Sequence, residues 1–322
     1  MVPSDFEKSD IDYADFNHTV SSIVQTSFEA VVAEIIDNSL DAGASKIFVR
    51  LEGYNNDDFA VIVLDNGLGF RTREDKAAGK PASFEGLEQA FTLAGTKGED
   101  GQIGKFNIGL KISPLSKCDR LFALCKLDDG KIIHRGLDKP LMRVNKAYGT
   151  FSEDPRTKAT KLARKILRSK TNDYRTAVVL YDFKKMPIKN KEVITEKDKV
   201  ALSAFLRKYY GVIYQRTLEK EDPPNIRILN DKKHLQVGPI DPFWEDFTPD
   251  KIDERLGLPE ADPKSIPENE RYMLECFKEW GTVKCDRQSF TIEWEGEKHQ
   301  IHVTGYVIPS RNLHPRLPEK YK

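Results

Sequence analysis

The chain has 322 residues with 51 basic and 51 acidic side chains, so its formal net charge is zero. This excludes a domain-wide basic field for nucleic acid and leaves only local patches open. Hydrophobic residues at 39% and charged residues at 32% describe a soluble globular protein long enough for about two domains. No apolar run is long enough to span a bilayer, and the acidic N-terminus does not resemble a signal peptide. Cys118, Cys125, Cys276 and Cys285 form no C-x-x-C pair, which fits reduced thiols in a cytoplasmic or nuclear protein.

Residues 1–17 are acidic and aromatic by turns (Phe6, Tyr13, Phe16) without a sustained period, an arm in need of a partner surface. A helix is predicted from there through Leu40, where Val24, Phe28, Val31, Val32, Ile35, Ile36 and Leu40 recur at helical spacing. Glu34, Asn38 and Asp41 fall at i, i+4 and i+7 on its polar edge. A carboxylate, an amide and a second carboxylate in one stripe suit a hydrated magnesium ion beside a carboxylate that polarises a water; a solvated edge is the plain alternative. Alternation predicts a strand over 46–51, and F-A-V-I-V-L a central strand over 59–64 that ends in D-N-G-L-G-F at 65–70. A helix over 83–93 leads into the glycine-rich segment A-G-T-K-G-E-D-G-Q-I-G-K-F-N-I-G-L-K.

Strands over 121–126 and 131–135 follow, joined by the hairpin signal Asp128-Asp129-Gly130. Residues 154–170 read as a basic helix with Arg156, Lys158, Lys161, Arg164, Lys165, Arg168 and Lys170, able to meet phosphate backbones or simply solvated. A buried strand over 175–183 closes the first domain near 185. A helix over 196–218 and strands over 226–229 and 234–237 open the second. Residues 249–267 are charged and proline-bearing, a loop, and strands are predicted over 290–294, 299–303 and 305–308. His299 and His302, three apart on a strand, fall on opposite faces and do not form a metal pair. The end, L-H-P-R-L-P-E-K-Y-K, carries no stop signal and leaves a longer protein open.

Three signals stand in order: the stretch E-I-I-D-N-S-L-D-A-G-A-S at 34–45, the strand end D-N-G-L-G-F, and the loop G-K-F-N-I-G-L-K at 104–111. Together they resemble the GHKL superfamily of ATPases, which includes DNA gyrase B, the ninety-kilodalton heat-shock chaperones, histidine kinases, MutL and the MORC proteins. The first stretch is most similar to MutL and MORC. The resemblance implies that Glu34 activates the attacking water, that Asn38 coordinates magnesium with Asp41 nearby, and that Asp65, with Gly67 and Gly69, accepts from the adenine amino group. It also implies that Gly104, Lys105, Phe106, Asn107, Ile108, Gly109 and Lys111, with Leu110 among them, cap the phosphates. Gly95, Thr96 and Lys97 resemble a lid segment, and Thr176 resembles the threonine of the fourth motif. Asn107 and Arg175 stand where related chains often carry glycine, and a P-loop G-x-x-x-x-G-K-[ST] is absent.

The expected fold is α+β, a GHKL (Bergerat) nucleotide-binding α/β sandwich with an N-terminal arm over 1–185, then a smaller transducer-like α/β domain over 186–322. The expected function is an ATP-gated dimerising clamp of the MutL- and MORC-like class that hydrolyses ATP with Mg2+ and acts on DNA. The expected partners are a second copy and DNA, with no membrane. The alternative is an ATP-binding chaperone-like or regulatory module with little turnover. A sensor kinase is disfavoured, because Glu34 suits water activation and no histidine-bearing phosphoacceptor helix precedes the domain.

Overall fold

The computed structural model describes residues 6–22, 27–55, 58–92, 113–153, 155–183, 193–230, 233–240, 283–284, 288–294, 297–303 and 306–307. They fall into two compact units, Met1–Ile240 and Asp241–Lys322.

The first unit is built on a seven-stranded sheet. Its strands are β2 (Lys46–Glu52), β3 (Ala60–Asp65), β4 (Cys118–Lys126), β5 (Ile132–Asp138), β7 (Thr176–Phe183), β8 (Asn225–Asn230) and β9 (Lys233–Gln236), in the spatial order β5-β4-β7-β3-β2-β8-β9. All neighbours are antiparallel except β2 and β8, which run parallel. The central strands are apolar at nearly every position because both faces are covered, and alternate side chains enter opposite cores. Ile47, Val49, Leu51, Val61, Val63, Val178, Leu180, Ile226 and Ile228 enter one core. Phe48, Ile62, Leu64, Phe122, Leu124, Ala177 and Val179 enter the other.

The first core is roofed by helices α2 (Phe28–Asp41), α4 (Phe84–Phe91) and α7 (Glu196–Ile213), whose apolar faces supply Val31, Val32, Ile35, Ile36, Leu87, Phe91, Leu202, Leu206 and Tyr210. Burying each such Leu or Ile contributes roughly 1.5–3 kcal/mol. The opposite core is closed by the basic helix α6 (Lys158–Arg168), which turns Ala159, Ala163 and Leu167 to the sheet and leaves Lys161, Lys165 and Arg168 exposed. Helices α3 (Arg73–Ala77) and α5 (Lys139–Asn145) and the short α8 (Gln215–Leu218) complete the unit.

Two expectations are corrected at the N-terminus. The helix predicted through Leu40 is two helices, α1 (Tyr13–Ser22) and α2, the second preceded by the extended Ser27, whose hydroxyl caps it by accepting from Ala30 N at 3.3 Å. The aperiodic arm has a partner surface in its own chain: β1 (Glu7–Asp12) pairs antiparallel with β6 (Ala147–Thr150). Phe16 is buried against Tyr148 at 5.0 Å between ring centroids, and Phe6 and Tyr13 pack on the same core. That partner lies over a hundred residues away, beyond any local period. The helix predicted over 196–218 is likewise interrupted at Tyr214, between α7 and α8.

The first compact unit reaches past residue 185, where composition places a boundary. The reason is physical: β8 pairs with β2 along its whole length, and Tyr210 and Tyr214 donate hydrogen bonds to the main chain of α2. In the second unit the described strands form two antiparallel pairs, β10 (Val283–Lys284) with β13 (Tyr306–Val307) and β11 (Gln288–Trp294) with β12 (Glu297–Val303).

Candidate functional site

The site is assembled by strand register. Asp65, the last residue of β3, sits directly opposite Thr176, the first of β7, and Thr176 in turn sits opposite Cys125 on β4. All three side chains belong to the face that α2 covers. Asp65 is only 4% exposed, a costly place for a carboxylate unless its oxygens are satisfied. Gly67 N–H donates to Oδ1 at 2.9 Å, and the Ser39 hydroxyl lies 3.1 Å from Oδ2 while also reaching Ile35 O at 3.0 Å. Burial pushes the Asp65 carboxyl pKa up, and the Gly67 and Ser39 donors, with the nearby Thr176 hydroxyl, pull it back.

The turn after Asp65 must lie flat. A Cβ at Gly67 would come within 3.0 Å of Ala42, and Leu68 N–H donates to Ala42 O at 2.9 Å, tying the turn to the end of α2. Gly69 has φ +72°, and a Cβ there would meet Cys125 Sγ at 2.8 Å. Asn66 fixes the turn from beneath, its Oδ1 accepting from Ser45 N at 3.0 Å and Lys46 N at 2.8 Å. Arg175, the departure before Thr176, leaves the site clear because its side chain pairs with Asp128 at 2.8 Å.

Along the rim run Glu34, Asp37, Asn38 and Asp41, all exposed on α2. Asn38 Nδ2 donates to Glu34 O at 2.6 Å, so its carbonyl oxygen remains an acceptor for an incoming ligand. Neighbouring atoms desolvate Glu34 enough to raise its carboxyl pKa despite the exposed rim position, and Asp37 adds to that. Asp37 is also raised by burial, opposed by a hydrogen bond from Tyr214.

The structure therefore brings Asp65, Gly67, Gly69 and Thr176 into one cluster, the floor of the candidate site, and joins it through Ser39 to α2, which carries Glu34, Asn38 and Asp41. Gly95, Thr96, Lys97, Gly104, Lys105, Phe106, Asn107, Ile108, Gly109 and Lys111 lie outside the described residues. Ser39, Asp37 and Tyr214 escape the sequence reading. Ser39 had a local signal, being next to Asn38 and so turned toward the buried face. Tyr214 had none, since it meets Asp37 across 177 positions.

Each Asp65 oxygen has one donor and keeps acceptor capacity, while the buried Thr176 Oγ1 meets no partner at hydrogen-bonding geometry although it lies close enough to influence Asp65. A carboxylate and an orphaned hydroxyl side by side fit a group that presents a donor and an acceptor on one edge, as the amino group and ring nitrogen of adenine do.

A family model for the "Histidine kinase-, DNA gyrase B-, and HSP90-like ATPase" matches residues 26–161, a stretch that holds Glu34, Asn38, Asp65, Gly67 and Gly69 and ends before Thr176. The chain is also similar to PMS1 protein homolog 1 of Homo sapiens, 40% identical over 85 residues. That match covers 24% of this chain and 9% of the human protein. Among the described residues, no helix is long and apolar enough to cross a membrane.

Proposed function

Because residues 26–161 belong to the histidine kinase-, DNA gyrase B- and HSP90-like ATPase family, the GHKL superfamily, we propose that the chain is an Mg2+-dependent, MutL-like ATPase. The single observation that carries this reading is the buried Asp65 beside the orphaned Thr176 hydroxyl, tied to α2 by Ser39, the residue after Asn38. Asp65 accepts from the adenine amino group, and Ser39 and Gly67 N–H hold its carboxylate in place. Asn38 would hold the magnesium ion through its side-chain oxygen, with Asp41 close by. Bound, the metal supplies charge neutralisation at the phosphates. Glu34 is the general base: its exposed rim position gives it access to water, and its raised pKa makes it a better proton acceptor than an ordinary carboxylate. Gly104 to Gly109, with Lys105 and Lys111, and the Gly95–Lys97 segment would serve the phosphates.

The finer reading is an ATP-dependent homodimer that acts on DNA, with residues 186–322 transducer-like. Its support is the resemblance of the Glu34–Ser45 stretch to clamp-forming ATPases, together with the exposed basic edge of α6. The test is phosphate release by wild type and by Glu34→Ala. Positioned general bases contribute about 10²–10⁴-fold in rate, so the variant should lose turnover by that factor and keep ATP binding. Equal turnover would place the base elsewhere, and a wild type that binds ATP without releasing phosphate would favour a regulatory module.

A further inference from the structure

The exposed edge of α2 holds a fourth polar side chain that the ATPase reading leaves without a task. Asp37 lies one turn beyond Glu34, one turn before Asp41 and next to Asn38. Its carboxylate is held by the hydroxyl of Tyr214, 2.8 Å from Oδ1 and 3.0 Å from the carbonyl of Ala33. Tyr214 stands at the junction of α7 and α8, in a stretch over 150 residues from the catalytic helix in sequence.

Four residues earlier, Tyr210 makes a simpler contact, its hydroxyl reaching the carbonyl of Glu29 at 3.2 Å. Both tyrosines are buried, and both grip α2 through carbonyls one turn apart. A staple that only fastened α7 to α2 would need no more than the contact Tyr210 makes. Tyr214 reaches further, to a side chain adjacent to Asn38, and Asn38 itself is braced through Nδ2 to the carbonyl of Glu34 at 2.6 Å. The turn from Ala33 to Asn38 is thus fixed at a main-chain carbonyl, at a carboxylate and at an amide. Cut loose from Tyr214, the Asp37 carboxylate would be free to swing into the hydrated space that Glu34 and Asn38 share, where it repels one and competes with the other.

We propose that Tyr214 is a positioning residue for hydrolysis, holding Asp37 aside so that Glu34 and Asn38 keep their places; this rests on the ATPase reading above. Through it, the helices that follow residue 195 bear on the chemistry of α2.

The experiment compares Tyr214→Phe, Tyr210→Phe, Asp37→Asn and the Tyr214→Phe/Asp37→Asn double variant in the full chain. For each, it reads kcat, the dissociation constant of a non-hydrolysable ATP analogue with magnesium by calorimetry, and the melting temperature. Tyr214→Phe should lower kcat by roughly tenfold or more while analogue affinity moves by less than about twofold, the pattern of an interaction that matters in the transition state rather than in binding. Tyr210→Phe should lower the melting temperature comparably and leave kcat alone. The double variant should recover most of the kcat that Tyr214→Phe loses, since the residue that would intrude no longer carries a charge, and Asp37→Asn alone should stay within about twofold of wild type.

Wild-type kcat in Tyr214→Phe overturns the proposal, as do equal kcat losses in the two tyrosine variants or a double variant no faster than Tyr214→Phe. If Tyr214→Phe does not fold, Asp37→Asn carries the test alone: kcat and analogue affinity within about twofold of wild type support the proposal, since an amide at 37 has no charge to be held aside, and a kcat loss with intact affinity overturns it by making the Asp37 carboxylate itself part of the chemistry. A wild type without turnover overturns the ATPase reading and this inference together, whereas turnover indifferent to Tyr214 overturns this inference only.

Discussion

On the proposed reading, Asp65 is a residue kept for binding at the expense of stability. Burial raises its pKa, so the folded chain binds this proton more tightly than the unfolded chain does. The sign follows: the contribution of Asp65 favours folding most below the ordinary carboxylate pKa and is lost as pH rises through the elevated folded value. Asp65→Asn removes a buried charge while an amide can still meet Gly67 N–H and the Ser39 hydroxyl. We therefore expect the nucleotide-free variant to melt at or above the wild-type temperature at pH 8, with the difference shrinking toward pH 4. Thermal melts across that range check this, and a variant clearly less stable than wild type at pH 8 would mean that the carboxylate is a net stabiliser. Thr176 belongs to the same pattern, a buried hydroxyl left without a well-placed partner at the start of a central strand.

At the scale of elements, the helices and strands with strong local periods were legible in the sequence, and those held by distant partners were not. β2, β3 and β7 announce themselves by alternation or continuous apolarity, and the β4–β5 hairpin by Asp128-Asp129-Gly130, so the pocket floor could be laid out from sequence. β1 could not, because what makes it a strand is β6 and a buried cation. Arg135 on β5, with its side chain 3% exposed, pairs with Glu7 of β1 at 2.9 Å and with Glu88 of α4, and it lies over the Phe84 ring at 5.3 Å. Tyr148 of β6 adds a hydrogen bond from its hydroxyl to Phe91 O at the end of α4. The N-terminal strand is thus fastened to the helix that precedes the glycine-rich segment. Deleting residues 1–12 removes the β1–β6 ladder and the packed Phe6 and Ile11 as well as the Glu7 contact to Arg135, and should cost at least about 2 kcal/mol, most of it from packing because Glu7 is largely solvated. Denaturant unfolding measures it, with Glu7→Gln as the milder comparison. Unchanged stability in the deletion would show that β1 contributes nothing to the fold of its own chain.

The first unit has two unlike faces, the Asp65 side roofed by α2, α4 and α7 and the opposite side closed by α6. Sequence alone drew a boundary near 185 because the apolar strand β7 ends there, whereas β8 and the tyrosines of α7 complete the sheet and brace α2 from beyond it. The basic residues of α6 stand over the sheet face opposite Asp65, so nucleic acid held there would leave the pocket untouched. Reversing the charges of Lys161, Lys165 and Arg168 together should abolish any DNA retention while ATP binding persists, and wild-type retention should fall steeply with salt. Retention that survives the reversal with an unaltered salt slope would point to another surface. The most direct test of the account is calorimetric titration of ATP with magnesium into wild type and Asp65→Asn. The account predicts that wild type binds and that the variant loses roughly 1.5–3 kcal/mol of affinity, the worth of a hydrogen bond to a charged group. Equal affinity in the two proteins, or no binding to wild type, would contradict it.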